Sequence, residues 1–419
     1  MNDISVSRIR LPQLRGNLLG INFARRTLLN ILERLAIGTL TIYDGEETLR
    51  FGDFDQPAHM PHAQVRVNNQ EVYRRVLMGG SMGSGESYIL GHWSSPDLTE
   101  VIRLFTANMS VLENMDQQKS LPTRIALKLA HLLKNNTLTG SRKNIAAHYD
   151  LGNDFFELFL DPTMMYSAAV FPDPEATLEA ASEHKLDLLC QQLELQPEDH
   201  LLEIGTGWGG MAVHAARHYG CKVTTTTISR EQYEYSVQRV RREGLEQQVT
   251  VLCEDYRDLT GEFDKLVSVE MIEAVGHQFY QNYFSKCSSL LKPQGLMVIQ
   301  AITIADQRYE AAKRSVDFIQ RYIFPGGCLP SVAVIGQHIA QDTDMQVTHL
   351  RDITEHYADT LAQWRESFFA QLETVKAQGF DDEFVRMWEF YLCYCEGGFR
   401  ERVISTVQLT FAKPRYRVG

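Results

Sequence analysis

Four acids and a cluster of glycines hold the residue types most able to do chemistry. Glu203, Asp255, Glu270 and Glu273 each end or closely follow a short apolar run. An ionised carboxylate there costs free energy unless it has a partner or a task. Glu203 leads directly into Gly205-Thr-Gly-Trp-Gly-Gly210. Gly205, Gly207 and Gly209 can take positive φ, or let a ligand lie on the backbone, and Met211-Ala-Val-His-Ala-Ala-Arg217 supplies a following helix. This is the geometry of a nucleotide site. Two versions of it are excluded: no Gly-Lys-Ser/Thr is present to hold a triphosphate, and the spacing departs from the dinucleotide pattern G-x-G-x-x-G. The plain alternative is a glycine-rich turn without a ligand.

An acid followed by G-x-G-x-G after a first strand resembles motif I of class I methyltransferases, which hold S-adenosylmethionine. In that setting Glu203 either organises backbone N–H groups or meets the methionyl ammonium. Asp255 and Tyr256 either bracket the adenine, by a hydrogen bond and a ring contact, or form an ordinary turn. At the end of the second strand such enzymes usually carry an acid for the ribose hydroxyls. Here Thr227-Ile-Ser229 and Gln232 stand instead, so ribose contact would come from hydroxyl or amide groups. In Val269-Glu-Met-Ile-Glu-Ala-Val-Gly276, Glu273 is the leading catalytic carboxylate and Glu270 the competing one. Read alone, either is equally a surface acid.

The elements that must position these groups alternate. Leu201–Ile204, Lys222–Ile228, Val249–Cys253, Phe263–Val269 and Gly295–Gln300 read as strands, and Arg230–Glu243 and Gln278–Leu291 as helices. The rhythm predicts an α/β fold with a doubly wound, mostly parallel sheet whose ligand lies beyond the carboxyl ends of the strands. A small α+β domain precedes it. There a helix over 23–37, with Leu28, Ile31, Leu32 and Leu35 on one face, either lies on an anionic bilayer or caps a core. A hairpin at Gly38–Gly45, a strand at Ala63–Val67, a helix at Val72–Leu77 and another from Pro96-Asp97 to Phe105 follow. Gly79-Gly-Ser-Met-Gly-Ser-Gly85 between them reads as a flexible loop, with a phosphate cradle as its alternative. The expected domains are therefore 1–115, a connecting segment 116–145 that is polar and basic, and 146–419.

The 419 residues carry a formal net charge of −12, which argues against a general nucleic-acid binder. Yet the first 34 residues hold Arg8, Arg10, Arg15, Arg25, Arg26 and Arg34 against Asp3 and Glu33, a basic end on an acidic chain. The cysteines form no zinc-like pairs, so no metal site is expected; their odd number fits reduced core thiols and a cytoplasmic protein. No apolar run approaches the length of a spanning helix, so membrane contact would be peripheral. The aromatic last third, Phe318 through Tyr394, reads mainly as core. Rings among it that faced the ligand would suit an apolar substrate or a transient carbocation.

An ordered set of motifs resembles the cyclopropane-fatty-acyl-phospholipid synthase family from about residue 20 onward. It comprises His148-Tyr-Asp-Leu-Gly-Asn-Asp154, Met165-Tyr-Ser167, the glycine loop, Thr227-Ile-Ser229, Asp255-Tyr-Arg-Asp-Leu259, Glu273-Ala-Val-Gly276, Tyr322-Ile-Phe-Pro-Gly-Gly-Cys-Leu-Pro-Ser331 and Gly398-Phe-Arg400. The resemblance implies methylation by S-adenosylmethionine of the cis double bond of a phospholipid acyl chain. A carbocation forms, and proton loss closes a cyclopropane. It further implies a cytoplasmic enzyme docked peripherally on the inner membrane face, with unsaturated phospholipid as partner and a homodimer as a further expectation. Cofactor roles carry over to Tyr166, Ser167, Gly205, Gly207, Gln232, Asp255 and Tyr256, with Glu203, Gly209 and Thr227 beside them. The family's bicarbonate, its proposed base, would be held by Glu273, Ile302 and Tyr357. The chain departs from the pattern twice: Ala168 stands where the family has cysteine, and Gln300 where it has histidine. Gln300 can hydrogen-bond an anion but cannot carry positive charge. A cation deprotonated elsewhere would give an alkene or methylene branch instead of a ring, and reduction of such a product would give a methyl branch. Small-molecule N-methylation is the remaining alternative.

Overall fold

The computed structural model describes residues 18–109 and 151–417; Arg8, Arg10, Arg15, the connecting segment and His148 lie outside them. The chain forms two compact units, and these do not divide it at one point. One unit holds the amino-terminal part together with 317–319 and 372–401; the other holds 140–316, 320–371 and 402–419. The stretch 146–419, expected as one domain, thus contributes to both.

In the amino-terminal unit four strands, β1 (Thr39–Asp44), β2 (Glu47–Gly52), β3 (His62–Val67) and β4 (Trp93–Ser94), lie in the order β2-β1-β3-β4. Gly45, at φ 62°, makes the tight turn between β1 and β2. The first helix, Leu18–Leu32, buries Ile21, Ala24 and Leu32, and Arg25 donates to buried Asp44, so this helix caps a core. The glycines at 79–85 form no loop. They lie inside the helix Glu71–Ile89, kinked at Gly80. A Cβ on Gly83 would come within 2.0 Å of the Arg75 carbonyl, and one on Gly85 within 2.9 Å of Phe318 and Phe390. These glycines serve close packing, which a chain pattern cannot distinguish from flexibility. Among the described residues no helix is long and apolar enough to cross a membrane.

The second unit is built on a seven-stranded sheet ordered β10-β11-β9-β8-β5-β6-β7. β5 (His200–Ile204), β6 (Lys222–Thr226), β7 (Val249–Leu252), β8 (Phe263–Val269) and β9 (Leu291–Ile304) run parallel. β10 (Gln346–Asp352) and β11 (Ile404–Ala412) extend the sheet antiparallel. The central strands are near-continuous apolar runs because helices cover both faces, and two buried clusters fill those layers. The carboxyl ends of β5, β6, β8 and β9 share one edge, which brings Glu203, Thr227, Glu270 and Gln300 to it.

Candidate active site

The glycine loop is tied down before any ligand arrives. Gly205 and Thr206 both donate their backbone N–H to the Thr226 carbonyl, at 3.0 and 3.1 Å. Gly205, Gly207 and Gly209 have φ of 100°, 53° and 81°. Among the described residues a Cβ on Gly207 would meet nothing within 4 Å, while one on Gly210 would strike Met165 Sδ at 2.7 Å and the Thr163 carbonyl at 2.8 Å. One side of the loop is open and the other is packed, as a loop that cradles a ligand requires. Glu203 is buried beneath it and accepts from Thr225 Oγ1 at 2.6 Å. That uses the one hydroxyl proton of Thr225, so the 2.7 Å contact between Thr206 and Thr225 is a bond donated by Thr206. Burial pushes the Glu203 carboxyl up to about 8. Thr227 Oγ1 donates to Gln232 Oε1 at 2.9 Å, and Ser229 caps the helix Arg230–Arg242. Asp255 is held by the Arg257 side chain and backbone, and Tyr256 packs edge-on against Tyr283 with ring centroids 5.6 Å apart. The Thr226 hydroxyl bond to the Glu254 carbonyl, 2.6 Å, keeps this turn beside the end of β6.

A second cluster forms at the ends of β8 and β9. Glu270 Oε1 accepts from Ala168 N at 2.9 Å and Gln300 Nε2 at 2.8 Å, and Oε2 accepts from the Tyr357 hydroxyl at 2.8 Å. Glu273 Oε1 accepts from Ile302 N at 2.5 Å, while its Oε2 is buried with no hydrogen-bond partner among the described residues. Burial, reinforced by Glu270, raises Glu273 to about 8, and burial also raises Glu270. Two partly buried acids that raise one another do not both ionise readily, and the three donors on Glu270 select it as the charged one. Rings enclose the site. Tyr166 lies 5.2 Å from Trp364 at 33°, 5.2 Å from Phe156 and 6.2 Å from Phe324, and Trp364 stands 6.2 Å from Tyr357. The aromatic last third is divided, since Trp388, Phe390, Tyr391 and Tyr394 fall in the other unit.

The sequence reading passed over several residues here. Gln408 Nε2 donates to Gln300 Oε1 at 3.0 Å and Gln192 Nε2 to Gln408 Oε1 at 2.7 Å, so a line of amides orients Gln300. Arg239 donates to the Thr163 and Trp208 carbonyls, at 2.8 and 3.3 Å. Lys185 is 0 % exposed and donates to Ser167 Oγ at 2.8 Å. Its signal was available: Ala181, Lys185 and Leu189 share one face of the helix Leu178–Gln192, so a lysine sits on an apolar stripe. Burial lowers its ammonium to about 8 against the pull of Glu270, Asp161 and Glu203. An ammonium only donates, so Ser167 keeps its own O–H to offer a ligand. Lys185→Met should weaken S-adenosylhomocysteine binding by about 10-fold, the worth of a charge-assisted hydrogen bond. Binding of methylthioadenosine, which lacks the carboxylate, should hold; calorimetry on both ligands checks this. Wild-type affinity should fall as pH rises through about 8. The fold does not weaken with it: the lowered folded-state pKa makes deprotonation above about 8 favour the native state.

A parallel core continued by two antiparallel strands, with an open glycine loop after β5, defines a class I S-adenosylmethionine-dependent methyltransferase. A family model described as mycolic acid cyclopropane synthetase matches residues 136–409, and the chain belongs to that family. It is 39% identical over 347 residues to a tuberculostearic acid methyltransferase of Mycobacterium tuberculosis, covering 81% of each chain. It is 38% identical over 355 residues to the cyclopropane-fatty-acyl-phospholipid synthase of Escherichia coli, covering 84% of this chain and 88% of the other. Among solved structures, a mycolic acid cyclopropane synthase complexed with SAH and CTAB aligns with a TM-score of 0.61 at 33% identity, over 65% of this chain and 98% of that one.

Proposed function

We propose that the enzyme transfers a methyl group from S-adenosylmethionine to the double bond of an unsaturated phospholipid acyl chain. The observation that carries this is a partly buried, donor-held carboxylate, Glu270, inside a wall of aromatic rings at the carboxyl ends of the strands. Such a wall repels water and suits an alkyl chain, and ring faces with one fixed negative charge stabilise a carbocation. The donor supplies an electrophilic methyl group. The alkene π pair bonds to it as the sulfur–methyl bond breaks, leaving a cation on the neighbouring carbon. A C–H bond of the new methyl group then breaks: its proton passes to a carboxylate and its electron pair closes a cyclopropane. Glu203, Gly205, Gly207, Gly209, Ser167, Tyr166, Thr227, Gln232, Asp255 and Tyr256 hold and orient the donor. Glu273, Gln300, Ile302 and Tyr357 shape the reacting end.

A second product is supported by Gln300. Its amide is fixed by Gln408 and cannot take up a proton. If a hydride first moves from the methylated carbon to the cationic one, the same proton loss leaves a methylene branch. The relatives' names include both a cyclopropane synthase and methyltransferases not named for a ring. Purified protein with labelled donor and unsaturated phospholipid vesicles should give labelled acyl chains, and mass spectrometry of the product separates ring from methylene. Label confined to headgroups, or appearing on a soluble amine without lipid, rejects the reading.

The amino-terminal unit is the proposed membrane-docking part. Phe23 is 68% exposed on the first helix, with Arg26 and Arg34 also exposed, whereas Arg25 is engaged by Asp44 and Glu47. Binding to anionic vesicles should weaken several-fold between about 0.05 and 0.5 M salt, as headgroup attraction is screened. Cosedimentation measures it, and equal binding to neutral vesicles counts against a role for these arginines.

A further inference from the structure

Bicarbonate, the base implied by the family resemblance, does not fit this site, because the donors that would hold it are already used. Ala168 N, Gln300 Nε2 and the Tyr357 hydroxyl all donate to Glu270. The second amide proton of Gln300 goes to the Ala168 carbonyl at 3.1 Å, and its oxygen is taken by Gln408. The Ile302 N–H goes to Glu273. No donor of this set is left, and a second anion beside Glu270 would be repelled.

Glu270 reaches this position at a conformational cost. Its φ is 48°, in the left-handed region that glycine adopts freely and a glutamate does not, on a backbone pinned by the bond from Glu270 N to the Gln300 carbonyl at 2.7 Å. Strain at such an acid is retained where the acid is used. The amide line from Gln192 through Gln408 holds Gln300 with its donor toward that carboxylate.

We propose that the Glu270 carboxylate takes the place of bicarbonate and is itself the proton acceptor, so that this enzyme works without bicarbonate. The proton released from the methylated cation goes to a free lone pair of Glu270 Oε2, beside the Tyr357 hydroxyl. The C–H electron pair stays with the product, and the proton is lost to water as the product leaves. The inference rests on the reading of the site as a carbocation site, and the test separates the two.

Binding of carbon-13 bicarbonate, followed by NMR in the presence of S-adenosylhomocysteine, needs no lipid substrate. Wild type should show no binding, and Glu270→Gly, which suits the backbone angle and frees the donors, should bind the ion. In carbon-dioxide-depleted buffer wild type should keep its full methyl-transfer rate. Glu270→Gln and Glu270→Gly should each lose about 100-fold or more, within the range for removing a general base. Added bicarbonate or formate should restore part of the glycine variant's activity. Retained binding of S-adenosylhomocysteine by both variants shows that they are folded. Bicarbonate bound by wild type, no binding by the glycine variant, bicarbonate-dependent wild-type turnover, or full activity of either variant overturns the proposal. Absence of methyl transfer to lipid in wild type overturns the functional reading instead, and the binding experiment still decides the role of Glu270.

Discussion

Trp364→Ala should lower the thermal transition of the second unit by about 6–20 °C. Trp364 is 0% exposed, and its ring packs against Tyr166, Phe159 and Tyr357. Truncating a buried tryptophan costs about 3–5 kcal/mol in lost transfer energy and residual cavity. For a unit of this size each kcal/mol is worth about 2–4 °C. The same cavity loosens Tyr166 and Tyr357, so methyl transfer should fall more steeply than the folded fraction does. Trp364→Phe separates the two effects. Among the described residues the indole N–H has no hydrogen-bond partner, so phenylalanine removes an unsatisfied donor along with some ring area. Calorimetric scans of both variants, with activity measured well below their transitions, check this. A transition for the alanine variant within 2 °C of wild type would exclude Trp364 from the core of the site.

Gly205→Val should abolish measurable cofactor binding. At φ 100° an L side chain is strained, and its Cβ would press on Met271 at 3.3 Å. The loop must shift, breaking its paired bonds to the Thr226 carbonyl. Gly207 behaves differently. Its φ of 53° is one that asparagine tolerates, and an added Cβ would meet none of the described residues within 4 Å. Gly207→Asn should therefore melt within about 3 °C of wild type, since a tolerated left-handed residue costs about 1 kcal/mol or less. It should still weaken S-adenosylhomocysteine binding by about 100-fold, because the new group occupies ligand space. Paired melting curves and titration calorimetry read both quantities. Unchanged affinity in the Gly207→Asn protein would place the ligand elsewhere.

Much of the second unit was legible along the chain. Phe263–Val269 is a strand over the residues expected, and the alternation of apolar runs with amphipathic helices announced the parallel core, because strands covered on both faces have to be apolar throughout. β10 and β11 were not anticipated. β10 is an exposed edge strand with no apolar face to betray it, and β11 returns after a helix assigned to the other unit. The glycines at 79–85 misled for a related reason: whether a glycine bends a chain or admits a neighbour depends on the neighbour.

The sequence alone determined the family and the parallel core, and it nominated the residues for the methyl donor and the reacting carbon that the measurements above test. Glycine spacing, strand ends and ordered motifs are local properties, and they survive being read in one dimension. Only the tertiary structure distinguished Glu270 from Glu273. In the chain they are two acids three residues apart. In the fold, Ala168, Gln300 and Tyr357 converge on the first from three separate stretches of the chain, and the second keeps an oxygen with no hydrogen-bond partner among the described residues. Lys185, Gln192 and Gln408 acquire their meaning in the same way. Charge is assigned to a buried group by the donors around it, and those donors are neighbours in space, not in sequence.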